Sequence, residues 1–306
     1  MLKNQLHLKR RPSAIVTLMQ GFRTGKHRIR ESRKLPRLGA IWNHVTLKPT
    51  EVKAFEKICD LKESETLPPL FPFTLLYPIN LRLLSQKAAK IPMFKMLTVR
   101  NSTLIHRRAR IDETLGITSQ TTSQVFYEKG TEFHIKSKLF SNDQVVWENT
   151  SAFFIPGRPD NGKSDYTPPK LEPLVDGKIL AEWFLPAENR FRFARIMGDS
   201  NAIHYNSRYA KALGFKRDFS QPIRPASKAL DQLPMLPGDG PLMLDLHFKG
   251  PAYYNNRLTQ KIASTDSSHR FDLYCGDEER PCIAGKLKRL GYQSHLEGFL
   301  KTDDMG

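Results

Sequence analysis

One stretch of the chain places a carboxylate, an amide and an imidazole within seven consecutive positions. Residues 198–204 read GDSNAIH, so Asp199, Asn201 and His204 lie close together in the sequence. A carboxylate and an imidazole can hold and deprotonate a shared water near neutral pH, because histidine changes charge in that range. The amide of Asn201 can fix the loop or orient one of the two groups. The spacing indicates acid–base chemistry on water, although either Asp199 or His204 alone is more often structural.

The residues around this pair resemble the signature of MaoC-like dehydratases and R-specific enoyl-CoA hydratases. In that family a helix ends in G-D-x-N-P-[IL]-H, and a short helix of the type D-x-x-[FY]-A-x-x-x-G-F follows. The matching positions here are Gly198, Asp199, Asn201, Ile203, His204, Tyr209, Ala210, Gly214 and Phe215. Residues 248–253 (FKGPAY) are similar to the F-x-x-P-[VA]-x strand of the family. The resemblance covers residues 178–290 well and the first half only by its order of elements.

The resemblance implies a hydro-lyase of fatty acid metabolism. Such an enzyme hydrates 2-enoyl thioesters, or dehydrates 3-hydroxyacyl thioesters, carried by coenzyme A or an acyl carrier protein. It implies four catalytic residues, which are Asp199, His204, Asn201 and Ala226. It also implies five substrate-binding residues, which are Gly198, Ile203, Ile223, Arg224 and Ser227. Neither a metal ion nor a redox cofactor is needed for this chemistry.

The sequence departs from the family at the start of the central helix. Family members continue with P-I-[VA]-H-G-M, and the glycine N–H donates to the thioester oxygen. Residues 221–227 read QPIRPAS, so Pro225–Ala226 stands where the family has His-Gly. Alanine keeps its N–H, and the expectation is that Ala226 serves as the oxyanion donor at a helix N-terminus. Two alternatives stay open, an active site for a different acyl group or a pocket that has lost catalysis.

From residue 38 onward the chain repeats one order of elements. The first half predicts a strand at 40–47, helices at 50–60 and 79–91, and strands at 96–111, 125–140 and 144–155. The second half predicts a strand at 178–185, helices at 190–197, 207–213 and 226–233, and strands at 242–253, 258–264, 270–274 and 282–290. A central helix wrapped by a curved antiparallel sheet, built twice, is an α+β arrangement. With the resemblance, it predicts two fused hot-dog domains.

The basic stretch and the stretch of turn-forming residues predict the domain boundaries. They are a basic arm at 1–37, a non-catalytic N-terminal hot-dog domain at 38–156, a linker at 157–175, a catalytic C-terminal MaoC-like hot-dog domain at 176–295 and a tail at 296–306. The linker is dense in turn formers, such as the stretch PGRPDNGKSDYTPP at 156–169. The first half lacks the signature, since its corresponding region offers Asp60 without a histidine at matching spacing.

The charge of the protein is concentrated at one end. Residues 1–40 carry +10 of the net +17. The simplest interpretation is a solvated, partly disordered arm, and attraction to an anionic membrane surface is the sharper alternative. Nucleic-acid binding is not favoured, because regular aromatic interleaving and known binding motifs are missing from the sequence. The apolar runs are shorter than a membrane span needs, and the three cysteines are interpreted as reduced thiols of a cytoplasmic protein.

Two rival functions remain at this stage. Hot-dog folds also serve acyl-thioesterases, which would release free thiol from the same substrates. The chain could instead be a non-catalytic acyl-thioester-binding protein with a membrane-associating arm. The sequence does not decide between a fused pair that acts alone and a homodimer.

Overall fold

The computed structural model of the chain describes residues 5–24, 35–157, 166–199 and 201–291. The predicted tail and parts of the predicted arm and linker lie outside these ranges. No helix in the described part of the chain is long and apolar enough to cross a membrane. The three cysteines are free thiols, and all three are buried.

Eleven strands and six α-helices make up the described chain. The first half contains β1 (Gln5–Leu8), α1 (Ala14–Thr24), β2 (Gly39–Val45), α2 (Pro49–Cys59), α3 (Phe73–Leu84), β3 (Leu97–Ile105), β4 (Leu115–Tyr127), β5 (Gly130–Ser141) and β6 (Gln144–Pro156). The second half contains β7 (Lys178–Leu185), α4 (Arg190–Met197), α5 (Ser207–Ala212), α6 (Ile223–Asp231), β8 (Leu242–Phe248), β9 (Asn256–Thr265), β10 (Ser268–Cys275) and β11 (Ile283–Arg289).

The strands form one sheet that repeats the same order in each half. The order is β1-β2-β4-β5-β6-β3-β8-β11-β10-β9-β7, and every pair is antiparallel except β1 with β2. The strand order is therefore β2-β4-β5-β6-β3 in the first half and β7-β9-β10-β11-β8 in the second, which is the same connectivity twice. The halves join where β3 pairs with β8, from Arg100 opposite His247 to Ile105 opposite Leu242. This repeat confirms the prediction of two similarly built α+β units.

The helices of one half contact those of the other. α3 contacts α4, and α2 contacts α6, so each central helix faces the shorter helix of the opposite half. The rings of Phe55 on α2 and Phe193 on α4 meet with centroids 5.8 Å apart and are fully buried. Large aromatic side chains bury enough apolar area to hold such a contact. The two halves consequently share one continuous core.

Several predicted element boundaries were wrong, and three of them have a clear physical reason. The region of β4 is rich in Ser, Thr and Gln, so its sequence pattern did not predict most of this strand. Both of its edges are nevertheless paired, with β2 and β5. α3 begins at Phe73 rather than 79 because the helix accommodates Pro78 inside it. α6 begins at Ile223, since Pro222 and Pro225 are tolerated in or just before a first helical turn.

The expectation of a solvated arm was wrong for residues 5–24. β1 pairs with β2, and α1 contacts α3. The side chain of Arg11 reaches inward and donates to the carbonyl oxygens of Thr74, at 2.7 Å, and Ile196. Burial lowers the pKa of Arg11, although Glu51 acts in the opposite direction. This segment therefore connects the central helix of the first half with α4 of the second.

Candidate active site

The end of α4 positions the first functional residue. Gly198 adopts a left-handed conformation with φ 64°, and the N–H of Asp199 donates to Ala194 O at 3.0 Å. This backbone pattern is a Schellman-type helix end, which favours glycine. A Cβ on Gly198 would lie 2.4 Å from Cγ of Pro78 on α3. Glycine is therefore needed both for the turn and for the close approach of the two helices.

A short 3₁₀ turn then carries the imidazole. It covers Ala202–His204, and the amide oxygen of Asn201 accepts from the N–H of Ile203 at 3.3 Å. The N–H of Asn201 donates to Oδ1 of Asp199 at 2.9 Å. Asn201 thus holds the loop and restrains the carboxylate. Of the two roles left open by the sequence, loop support is the one that these contacts favour.

Asp199 and His204 face each other in a buried position. Nε2 of His204 lies 3.3 Å from Oδ2 of Asp199, and each residue is only 6% exposed. Nδ1 of His204 lies 2.9 Å from the carbonyl oxygen of Phe219. A carbonyl oxygen only accepts, so Nδ1 carries a hydrogen and the lone pair of a neutral ring is on Nε2. The ring edge packs on Phe219 with centroids 5.1 Å apart, which fixes its orientation.

The pair borders a cavity of about 270 Å³. The second half contributes the loop that carries Asp199 and His204, called the catalytic loop below, together with the start of α6 and the loop after β8. The first half contributes one face of α3, the start of β3 and part of β6. The apolar walls include Phe73, Met96, Phe153, Phe248 and Ile283. An apolar cavity with a few convergent polar groups is typical of a small-molecule site, here one suited to an acyl group.

Several polar side chains interrupt this apolar lining. Asn80 and Asn101 come from the first half, and Gln221 precedes α6. Each is at least 97% buried, and the amide oxygen of each lacks a hydrogen-bond partner within the described ranges. Tyr77 also lines the cavity, one helical turn before Asn80. Buried polar groups are normally paired, so these groups are candidates for contacts with a ligand or with water.

Three predicted site residues on α6 are placed elsewhere. The N–H of Ala226 donates to Pro222 O at 3.0 Å, and Ala226 is absent from the cavity wall. The prediction of an Ala226 oxyanion donor is therefore wrong, because α6 starts three residues earlier and already uses that N–H. Ser227 donates to Ile223 O at 2.7 Å inside the helix and is likewise remote from the cavity.

The prediction of Arg224 as a substrate-binding residue is also wrong. Its guanidinium is buried and donates to the carbonyl oxygens of Ile58, Pro186 and Glu188, at 3.3, 3.1 and 3.2 Å. Burial lowers the pKa of Arg224, while Tyr254, Cys59 and Glu188 act in the opposite direction. Arg224 thus links the first half, through Ile58, to the loop before α4 in the second half, and it does not line the cavity.

The other predicted positions lie at the site. Ile203 and Ile223 line the cavity beside Asp199 and His204. Gly198 does not line it and acts through the geometry of the helix end. The structure thus brings together the loop predicted from the sequence and separates it from most of α6.

Sequence reasoning missed the contribution of the first half. Phe73, Tyr77 and Asn80 lie at spacing i, i+4, i+7 and so share one helical face. This periodicity was a usable signal, but it was hidden by a predicted helix start at residue 79. Asn101 carried no such signal, because its position at the cavity depends on pairing of β3 with β8.

Comparisons with known proteins agree with this architecture. No protein-family model matches the chain. The 3-hydroxyacyl-thioester dehydratase X of Mycobacterium tuberculosis is 20% identical over 204 residues, which cover 67% of this chain and 72% of that protein. The crystal structure of this dehydratase, HtdX, superposes with a TM-score of 0.71 and 16% identity, covering 82% of this chain and all of that one.

Two further solved structures share the fold. A MaoC-like dehydratase from Phytophthora capsici superposes with a TM-score of 0.68 and 17% identity, covering 85% of this chain and 97% of that one. A second M. tuberculosis protein, described as having a double hotdog fold, gives a TM-score of 0.53 at 14% identity over 82% of this chain and 96% of that one. The present chain therefore has the double hot-dog fold, and the resemblance to MaoC-like dehydratases is confirmed.

Proposed function

We propose that this protein is a hydro-lyase that hydrates 2-enoyl thioesters and dehydrates 3-hydroxyacyl thioesters. The observation that carries the proposal is the buried pair of Asp199 and His204, 3.3 Å apart on the wall of an apolar cavity. A relative of the same fold is named 3-hydroxyacyl-thioester dehydratase X, which supports this reaction class. The acyl group would occupy the cavity, with coenzyme A or an acyl carrier protein outside.

The geometry suggests how the two residues divide the work. Because Nδ1 of His204 donates to Phe219 O, Nε2 is the atom that can accept a proton from water. Oδ2 of Asp199 can orient that water and stabilise the imidazolium that forms, while Oδ1 is restrained by Asn201. The water oxygen bonds to C3 of the enoyl thioester, and the proton taken by His204 is delivered to C2. Dehydration is the same sequence in reverse.

The test is a spectrophotometric assay with trans-2-enoyl-CoA of short and medium chain length. The wild type is expected to remove the enoyl absorbance without releasing thiol. Asp199→Asn and His204→Ala should each lower kcat by at least about 1000-fold, because each removes a group that acts in the transition state. Asp60→Asn is the matched control, since Asp60 lies in the corresponding region of the first half and its side chain is 86% exposed.

Each other result points to a different function. Release of free thiol would identify an acyl-thioesterase. Saturable binding of both compounds without turnover would indicate a non-catalytic acyl-thioester-binding protein. Equal activity of wild type, Asp199→Asn and His204→Ala would remove the pair from the mechanism, whatever the product.

Attraction of the basic arm to an anionic membrane surface is retained as a prediction. On α1, Ile15 and Met19 are 65% and 63% exposed, next to a segment rich in Lys and Arg. Apolar side chains flanked by basic ones are typical of helices that lie in a membrane interface. Cosedimentation with anionic vesicles should fall for Ile15→Glu and Met19→Glu, and neutral vesicles should bind neither variant nor wild type. A cytoplasmic location and a homodimer also stay predictions, to be checked by fractionation and analytical ultracentrifugation.

A further inference from the structure

Tyr77 lines the cavity that Asp199 and His204 also border. Tyr77 shares a face of α3 with Phe73 and Asn80, both of which also line the cavity. Its neighbour Pro78 abuts Gly198, the residue immediately before Asp199. The helix of the first half is therefore held directly against the catalytic loop of the second.

The hydroxyl of Tyr77 is available and stays protonated. No hydrogen bond from another described residue engages it. Burial and the negative charge of Asp199 raise the pKa of Tyr77 well above 10. A phenol with such a pKa stays protonated at physiological pH and can donate a hydrogen bond.

The reaction needs hydrogen-bond donors to the thioester oxygen, and α6 supplies only some of them. Addition of water at C3 places negative charge on the thioester oxygen, and enzymes stabilise such charge with preorganised donors. Pro222, at the start of α6, has no N–H, and the N–H of Ala226 is used inside the helix. In the first turn, Ile223 lines the cavity, and its N–H donates to no backbone carbonyl of the described residues.

We propose that the Tyr77 hydroxyl donates a hydrogen bond to the thioester carbonyl oxygen and stabilises the enolate that forms there. This inference rests on the proposed hydro-lyase reaction. Tyr77 forms or breaks no covalent bond: the water oxygen bonds to C3, C2 receives the proton, and the charge on oxygen is transient. The first half, predicted to be non-catalytic, thereby contributes a catalytic residue to the site of the second half.

A second phenol close to Asp199 does not fit this role. The negative charge of Asp199 also helps to raise the pKa of Tyr205, after burial. The ring of Tyr205 packs against Phe191, with centroids 5.3 Å apart, and the residue does not line the cavity. Proximity to the carboxylate alone therefore does not select the donor, and position in the cavity wall does.

The experiment compares Tyr77→Phe with Tyr254→Phe in the full-length protein. Both variants remove a phenol hydroxyl from a buried or half-buried tyrosine, but Tyr254 does not line the cavity. Tyr77→Phe is expected to lower kcat for trans-2-enoyl-CoA about 100-fold, as loss of one oxyanion donor does, with KM changed by less than about 3-fold. Tyr254→Phe should retain wild-type kcat, and the melting temperature of Tyr77→Phe should be unchanged.

A spectroscopic readout separates this inference from the proposed function. In an Asp199→Asn background, the carbonyl stretch of bound trans-2-octenoyl-CoA is followed by Raman difference spectroscopy. A shift to lower frequency that disappears with Tyr77→Phe supports the donor even if wild type shows no turnover, an outcome that would reject only the hydro-lyase. An unchanged shift, or equal kcat for the two Phe variants, overturns the role of Tyr77. Failure of the compound to bind overturns both proposals.

Discussion

The two halves of the molecule end α2 and α4 with the same backbone motif but fill it with different residues. In the first half, Asp60 takes the left-handed position with φ 54°, and the N–H of Leu61 donates to Glu56 O at 2.9 Å. In the second half, Gly198 takes that position, and Asp199 makes the equivalent bond. Asp60 therefore corresponds to Gly198, and the counterpart of the catalytic Asp199 is Leu61.

This shift of one residue decides where the carboxylate points. The side chain of Asp60 is 86% exposed and pairs with Nζ of Lys228 at 2.8 Å, whereas Asp199 is buried beside His204. An aspartate near the end of the corresponding helix is thus not by itself a remnant of a catalytic site. The lesson is that a helix cap and an active-site acid are adjacent positions of one motif, and only the register distinguishes them.

An arginine supports this helix end in both halves. Arg224 from α6 donates to Ile58 O at the end of α2, and Arg11 from the N-terminal segment donates to Ile196 O at the end of α4. Cations near a helix C-terminus interact favourably with its exposed carbonyl groups. The first half receives its arginine from the opposite central helix. The second receives it from the N-terminal segment.

Substitutions at the two left-handed positions, Gly198 and Asp60, test this comparison most strongly. Gly198→Ala should lower kcat about 100-fold or more, because the new Cβ would lie 2.4 Å from Pro78 and would displace the adjacent Asp199. It should also destabilise the protein by about 2 kcal/mol or more, since a left-handed conformation strains alanine. Steady-state kinetics and urea unfolding measure the two effects.

The reciprocal change in the first half is the control. Asp60→Gly relieves the left-handed conformation at φ 54° and should alter stability by less than about 1 kcal/mol, with activity retained. A loss of activity comparable to that of Gly198→Ala would contradict the view that only one of the two helix ends serves the site.

The arginine supports give a second, smaller effect. Arg224→Leu leaves three backbone carbonyl oxygens without this donor and should lower the free energy of unfolding by about 2–4 kcal/mol. Arg11→Leu removes donors from two carbonyl oxygens at a less buried position and should cost about 1–2 kcal/mol. Denaturant unfolding checks the order. A larger loss for Arg11→Leu would show that the N-terminal segment contributes more than the contact between the halves.

A third effect, which depends on pH, concerns acid stability of the first half. Burial alone would raise the pKa of Glu148, but hydrogen bonds and charges from His106 and Lys138 lower it from 4.5 to about 2. A depressed folded-state pKa contributes stability above pH 4.5 that is lost as pH falls towards 2. Glu148→Gln should therefore be about 2–3 kcal/mol less stable than wild type at pH 7 and nearly equal to it at pH 2. A difference that stays constant from pH 7 to pH 2 would assign the effect to packing.

Much of the fold and half of the site could be predicted from the sequence. β7 and α4 were predicted with the boundaries observed, because apolar periodicity and the terminal Gly198 are local signals. The loop with Asp199, Asn201 and His204 is equally local, since its hydrogen bonds join residues at most a few positions apart. The start of α6 was missed because prolines are compatible both with a loop and with a first helical turn.

The sequence by itself determined the repeated order of elements, the Asp–His pair and the reaction class that the pair suggests. The tertiary structure alone decided that α3 faces α4, that Arg224 points away from the cavity and that Tyr77 faces it. The physical reason is the range of the interactions. Caps, turns and periodicity act over a few residues, whereas the cavity is enclosed by segments more than one hundred residues apart that meet only when β3 pairs with β8.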